Sequence, residues 1–270
     1  QNLRWRPRKE FVVSTKVGRV LKPALRKDID FKPWVDGLPF KSVYDYSYDG
    51  TMRSFEDSLQ RLGLEYIDIL FIHDADVFTH GPELQKVYFK QAMDGCYRAL
   101  TKLRDEGAVK AIGFGVNDVA VMIDFMRQGD FDALLLAGRY TLLEQEPLDE
   151  LLPLCEKRNT AVVIGGGFNG GILATGAVPG AKWNYAPAPD PIMKKVAKIE
   201  LICAKHKVPL PAAALQFLLA VPSVASHVPG TRNVAQMEQN IALVSHPIPA
   251  AFWQELKQQE LIRRDAPVPR

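Results

Sequence analysis

The sequence predicts an α/β protein built on parallel strands, and three observations carry that expectation. Six short apolar runs, at 11–16, 67–73, 110–116, 133–137, 161–164 and 224–228, are each followed by a segment of helical spacing, with no break that would mark a domain boundary. The best of these runs, Ile67 to Ile72, is too continuously apolar for a strand with one wet face, so it reads as covered on both sides. Polar side chains collect where the runs end, at Lys16, His73, Asn117 and Arg139. In parallel α/β folds that edge is where loops converge on a ligand. Two architectures satisfy the pattern: a doubly wound open sheet of about six strands, and a (β/α)8 barrel, for which the sequence is two strands short.

Composition excludes several classes. At 270 residues, 47% hydrophobic and 24% charged, the chain has the make-up of a soluble globular protein, and no apolar run reaches membrane-spanning length. A net charge of +3 is too small to make nucleic acid the main partner. The one basic cluster, Arg4, Arg6, Arg8 and Lys9, leads straight into a strand and reads as a solvated loop or helix end. Cys96, Cys155 and Cys203 lie far apart in helical patterns, as buried thiols do in a reducing cytosol; neither a disulfide nor a metal site is implied, and the expected location is cytoplasmic. The N-terminus has no apolar core of a signal peptide and no initiator methionine, so the sequence is expected to begin inside a longer gene product.

The elements follow in order. Phe11 to Lys16 is rich in β-branched residues and stops at Gly18. Residues 19–46 carry Pro23, Pro33, Gly37 and Pro39 around Trp34 and Phe40 with no sustained period: a long excursion whose aromatics either wall a substrate or pack on the outside. Ser47 caps a helix with Met52, Phe55, Leu59 and Leu62 on one face and Gly63 as its stop. Strand 67–73 ends on His73, followed by Asp74 and Asp76; in isolation a satisfied core histidine is the plainer reading. Helix 88–104 and strand 110–116 come next, then helix 118–128 and strand 133–137. Helix 147–158 has Pro147 in its first turn and precedes strand 161–164. Helices 191–206 and 211–220, strand 224–228, and helices 233–244 and 249–262 complete the chain.

Two loops suggest phosphate. Gly165 to Gly170 matches G-x-G-x-x-G after a strand, but it continues into a Pro-rich stretch that predicts neither the helix nor the acid-bearing strand of a dinucleotide fingerprint. Its glycines are instead a place where backbone approaches a ligand closely. Val228-Pro-Gly-Thr-Arg-Asn233 places glycine, a hydroxyl and a guanidinium at a helix start, which suits a phosphate, although an ordinary capped helix accounts for it as well.

Taken together, these segments resemble the aldo-keto reductase superfamily. The resemblance rests on Val12-Val-Ser-Thr-Lys-Val-Gly18, on Ser58-Leu-Gln-Arg-Leu-Gly-Leu64 leading to Tyr66-Ile-Asp-Ile-Leu-Phe-Ile-His73, on Val109-Lys-Ala-Ile-Gly-Phe-Gly-Val-Asn117 and on Val228 to Asn240. Tyr46-Ser-Tyr-Asp-Gly50 and Ala137 to Leu143 are most similar to the branch of aldose 1-dehydrogenases (L-fucose and D-threo-aldose types) and pyridoxal 4-dehydrogenases. The resemblance implies a single (β/α)8 TIM barrel over residues 1–270 whose first two βα units lie upstream, which accounts for the strand count. It implies catalytic Lys16 and His73, with the family's aspartate and tyrosine outside this sequence, so that these residues alone should be nearly inactive.

The same resemblance places a nicotinamide cofactor against Asn117, Arg139, the turn Phe168-Asn169-Gly170, Val228, Gly230, Thr231 and Arg232, and Gln236, Gln239 and Asn240. Trp34 and Phe40 belong to the substrate loop. Val116 stands where many relatives have a serine, and Ala137 where they have a glutamine. Gln236 replaces an arginine of NADPH-preferring relatives, which favours NAD, while Arg232 leaves NADP open. The implied reaction is oxidation of a sugar lactol or of pyridoxal to a lactone, with a small sugar or aldehyde as the only partner. Two rivals are an NADPH-dependent aldehyde reductase and a non-catalytic nucleotide-binding regulatory subunit. The sequence does not fix the oligomeric state.

Overall fold

The computed structural model describes residue 3, residues 5–31 and residues 36–269; Trp34 lies outside them. The chain divides into two compact units, residues 1–132 and 133–270.

In the first unit β1 (Ser14–Val17) is followed by β2 (Arg19–Pro23), β3 (Phe40–Tyr44) and α1 (Tyr48–Leu62). β4 (Ile69–His73), α2 (Val77–Gln91), α3 (Arg98–Asp105), β5 (Ala111–Val116) and α4 (Val119–Gln128) complete it. β1, β4 and β5 pair in parallel with β4 in the middle. Leu70, Phe71 and Ile72 are at most 1% exposed, as a strand covered on both faces requires. Burying each such side chain contributes about 1.5–3 kcal/mol. Ser47 caps α1 by accepting the Gly50 N–H at 3.0 Å, and Gly63 ends it in the left-handed region at φ 60°.

Three details of this unit depart from the sequence reading. The excursion after Gly18 is an antiparallel hairpin, β2 on β3, paired from Arg19 and Tyr44 to Pro23 and Phe40. Its strands are joined by a long connection instead of a two-residue turn, so no short-range hairpin signal marks them. Helix structure resumes at Val77, well before Tyr88, because Asp76 caps it by accepting the Thr79 N–H at 2.9 Å. The Gly81-Pro82 breaker acts only as a kink, with Gly81 at φ 72°, ψ 166°. Finally, Arg8 is not solvated: its side chain is 9% exposed, donates to Asp68 at 2.5 Å and to the Tyr66 carbonyl at 2.8 Å, and lies 3.8 Å from the centre of the Tyr66 ring.

The second unit runs β6 (Ala133–Ala137), α5 (Leu151–Arg158), β7 (Ala161–Gly165), α6 (Ile172–Thr175), β8 (Lys182–Trp183) and β9 (Ala186–Pro187). Then come α7 (Asp190–His206), α8 (Leu210–Leu218), β10 (Val224–Val228), α9 (Val234–Val244) and α10 (Ala250–Gln258). β6, β7 and β10 are parallel, with an irregular register between Val224 and Ser226. The stretch after the glycines, expected to lack regular structure, holds the single turn α6 and the small antiparallel pair β8–β9. Neither is the helix or the parallel strand of a dinucleotide fingerprint. The core gathers Leu134, Leu136, Val162 and Ile164 with Phe217, Phe252 and Trp253, each at most 1% exposed.

Every strand expected from the apolar runs is present, though β1 begins at Ser14 and not Phe11. All three cysteines are buried, and burial pushes each thiol up to about 12, which makes them inert at neutral pH. Among the described residues no helix is long and apolar enough to cross a membrane.

Candidate active site

In the first unit the register brings Lys16 and His73 to one place. Lys16 pairs with Phe71, and His73 stands two residues beyond Phe71 on the same strand, so both side chains project from the same face of the sheet. Two residues of strand separate them along the chain direction, roughly 7 Å. The positive field of Lys16 is felt at the imidazole: burial first, then Arg19 and Lys16, hold His73 down at about 3, so it is neutral at physiological pH.

The strand end that carries His73 is held from several sides. The Tyr46 hydroxyl donates to the His73 carbonyl at 2.7 Å and stands 3.1 Å from His80 Nε2. Tyr46 is fully buried, and burial, Tyr44 and Asp74 all push its phenol upward, so it is no proton donor matched to neutral pH. Gly18 and Gly95 leave room for it. A Cβ at Gly18 would stand 2.5 Å from the Tyr46 ring, and one at Gly95 2.2 Å from its carbonyl. His80 in turn packs between Tyr44 and Tyr88, with ring centres 4.4 and 4.3 Å away.

Next along the chain, Asp74 forms an ion pair with Arg19 and lies 3.3 Å from His73 Nε2. Asp76, fully buried, accepts the Asn117 backbone N–H at 2.7 Å. Arg19, Tyr46, Asp74, Asp76 and His80 were not singled out by sequence as site residues. Only the two acids next to His73 carried any signal, since charged residues directly after a buried strand end stand at the ligand-binding edge.

The second unit holds a groove of about 540 Å³. Of the residues expected to hold a cofactor, Phe168, Gly230, Thr231, Arg232, Gln236, Gln239 and Asn240 line it together, with Gly171 and Thr175 opposite α9. Asn233 accepts the Gln236 N–H at 2.9 Å, and Gln236 Oε1 accepts the Arg232 N–H at 2.7 Å, so Gln236 also organises the helix start. Backbone at Asn169, Gly170 and Gly171 is left-handed, with φ of 47°, 74° and 110°, and the Asn169 and Gly171 N–H groups donate to the Gly166 and Phe168 carbonyls at 2.8 and 3.0 Å.

The remaining expected residues lie elsewhere. Val228 ends β10 outside the groove lining and is 55% exposed. Asn169 is buried and donates to the Gly138 carbonyl at 3.4 Å, and Gly170 packs against the Lys182 carbonyl, which a Cβ would meet at 3.0 Å. Arg139 sits 3.5 Å from Glu144 and 3.3 Å from Asn184. Asn117 and Phe40 are in the first unit; Phe40 is 39% exposed on the hairpin.

The donor set suits a phosphorylated ligand. A hydroxyl, a guanidinium, three carboxamides and glycine backbone meet at the start and along one side of a helix of 11 residues. The volume is at the scale of a small-ligand site, enough for one half of a dinucleotide.

Parallel strands with intervening helices, and a lysine and a histidine at adjacent strand ends, are arranged as an α/β barrel fold arranges them. The chain belongs to the aldo/keto reductase family, whose model matches residues 3–260. It is 43% identical to pyridoxal 4-dehydrogenase of Microbacterium luteolum, over 93% of this chain and 76% of that protein. It is 38% identical to D-threo-aldose 1-dehydrogenase of a Pseudomonas species, over 96% and 78%. In structure it resembles the holo form of an aldo-keto reductase from Bacillus halodurans, with a TM-score of 0.70 at 21% identity, covering 99% of this chain and 77% of the other. The fold is therefore the α/β barrel class of that family, and the activity is that of a nicotinamide-dependent oxidoreductase.

Proposed function

We propose that this oxidoreductase takes a hydride from the anomeric carbon of an aldose lactol of the L-fucose or D-threo-aldose type, or from the hemiacetal carbon of pyridoxal, and releases a lactone. The observation that carries this reading is the placement of Lys16 and neutral His73 on one face of adjacent strand ends. The likeness to two dehydrogenases of these substrates supports the choice of reaction. Bound nicotinamide supplies the hydride acceptor. As carbon gives up hydride, the hydroxyl on it must lose its proton. His73 hydrogen-bonds that oxygen and fixes its position, while the Lys16 ammonium favours the negative charge that develops beside it. The family's tyrosine and aspartate, expected outside these residues, complete the proton path in this proposal, in which residues 1–270 form part of one barrel domain.

The groove between Gly171 and α9 is assigned to the adenosine and phosphate half of the cofactor. Thr231, Arg232 and the backbone at Gly230 meet phosphate, and Gln239 and Asn240 meet adenosine. Asn117 and Arg139 are assigned to the nicotinamide end, and Phe40 to the substrate wall. NAD is the preferred form, because Gln236 offers neither the charge nor the planar fork that suits a 2′-phosphate. The test is a panel of aldoses and pyridoxal given to the full-length protein with each dinucleotide. One lactone formed per dinucleotide reduced supports the reading. Consumption of reduced dinucleotide by simple aldehydes alone would replace it with the reductase alternative.

A further inference from the structure

His80 has no part in the reaction as described, yet it is joined to the strand end that carries His73 by two hydrogen bonds in series, through the Tyr46 hydroxyl. Asp76 caps α2, and one turn later the His80 N–H donates to the Asp76 carbonyl at 3.1 Å, which sets the imidazole beside Tyr46. Gly81, φ 72°, bends the chain directly after it. Rings on two sides, Tyr44 at 4.4 Å and Tyr88 at 4.3 Å between centres, hold the imidazole in place.

The hydrogens along this path follow from what each atom can do. The His73 carbonyl only accepts, so the 2.7 Å bond from Tyr46 uses the hydrogen of the hydroxyl. Burial first, and then Tyr44, push that phenol upward, so the hydrogen is kept through the neutral range. Toward His80 Nε2, 3.1 Å away, the same oxygen is left to accept, and the hydrogen of this second bond sits on Nε2. We propose that His80 is a positioning residue for His73: it donates Nε2–H to the Tyr46 oxygen, and Tyr46 donates in turn to the His73 carbonyl. A hydroxyl that accepts a hydrogen bond donates a stronger one. The carbonyl and the imidazole of His73 share one Cα, so loosening the first lets the second turn away from the substrate oxygen. The inference rests on the reading of His73 as a catalytic residue.

The chain does not depend on the charge of His80. Burial first, opposed by Asp76 and the Asp74 carbonyl and joined by Arg19, holds His80 below the usual imidazole value of 6.5, so it is neutral at physiological pH. Protonation adds the second ring hydrogen and keeps the one on Nε2.

The test is a double-mutant cycle in the full-length protein. His80→Phe keeps a ring between Tyr44 and Tyr88 but removes the donor, and Tyr46→Phe removes the hydroxyl. His80→Phe should lower kcat about two- to tenfold, the rate equivalent of one neutral hydrogen bond, with KM changed by less than about twofold. In the Tyr46→Phe background the same replacement should have no further effect on kcat, because the hydroxyl through which it acts is gone. His80→Gln, which restores an N–H donor, should recover part of the loss. Equal losses in both backgrounds would mean that His80 only fills space and would overturn the inference. The side-chain nitrogen NMR spectrum of the wild type needs no variant: His80 as the Nε2–H form supports the chain, and the Nδ1–H form overturns it. A His73→Ala variant with full turnover would remove the catalytic reading of His73, and with it a positioning role for His80. Wild-type kcat in His80→Phe, in a protein that His73→Ala inactivates, would overturn this inference alone.

Discussion

Asp76 Oδ2 accepts the backbone N–H of Asn117 at 2.7 Å, while Oδ1 of the same carboxylate accepts the Thr79 N–H at 2.9 Å. One buried side chain thus caps α2 and ties the exit of β4 to the exit of β5. The cap is worth about 0.5–2 kcal/mol, and a hydrogen bond to a charged acceptor about 1.5–3 kcal/mol. Asp76→Ala should therefore cost about 2–4 kcal/mol in urea denaturation. It should also weaken dinucleotide binding through the freed Asn117. A loss below half a kcal/mol would mean that the two strand exits are fixed by other contacts.

Arg8 and Asp68 predict a response to acid. Asp68 is 2% exposed; burial would raise its carboxyl, but the hydrogen bonds from Lys110, the Val13 N–H and Arg8 bring it below the usual value of 3.8. A group depressed in the folded state contributes stability that is complete above the unfolded value and is lost as pH falls through the folded one. Asp68→Ala should cost about 3–5 kcal/mol at neutral pH, since it leaves Arg8 buried without its partner. The gap to the wild type should close as pH is lowered below 3.8. Lys110, 67% exposed at its side chain, meets the other carboxylate oxygen at 2.8 Å and shares in that depression, screened by solvent. A gap independent of pH would show that lost packing, and not the ion pair, is responsible.

How much of this was legible in the sequence depends on how local each cause is. Strands such as Ile69–His73 and Ala133–Ala137 declare themselves because covering both faces demands an unbroken apolar run. The groove was legible too, since Gly230 to Asn240 are close in sequence and the helix start gathers them. The hairpin was not: its strands are joined through prolines, and residues 40–42 are all exposed, so no alternation marks β3. Nor was the Arg19–Asp74 pair, whose members are 55 residues apart and meet only because β1 lies beside β4. The helix start was placed at Tyr88 from the spacing of apolar residues alone, whereas the chain is helical from Val77 and only kinked at Gly81.

Cofactor choice is tested at Gln236. Replacing it by arginine adds a charge-assisted contact for a 2′-phosphate, worth about 1.5–3 kcal/mol, so the ratio of NAD to NADP dissociation constants should shift about ten- to a hundredfold toward NADP. The variant also gives up the bond to the Arg232 N–H. Gln236→Ala is the control, losing that bond without adding charge, and its ratio should stay near that of the wild type. Tighter NADP binding in the wild type would assign the choice to Arg232.

Gly95→Ala should be strongly disruptive for its size. The added methyl would stand 2.2 Å from the Tyr46 carbonyl, which accepts the Cys96 N–H at 3.1 Å, so helix and tyrosine must move apart. A cost of about 1–3 kcal/mol or more in thermal or urea unfolding is expected. Turnover should fall with it, because Tyr46 anchors the His73 carbonyl. Wild-type stability in Gly95→Ala would mean that the Tyr46 anchor is not close-packed.

The central claim is that Lys16 serves the chemistry at the strand ends and not the binding of the cofactor. It is tested most directly by measuring kcat and the dinucleotide Kd side by side for the full-length protein and Lys16→Met. A residue that acts on the transition state should lower kcat by about a hundredfold or more while Kd changes by less than about threefold. Losses of equal size in both would contradict the claim and make Lys16 a cofactor ligand.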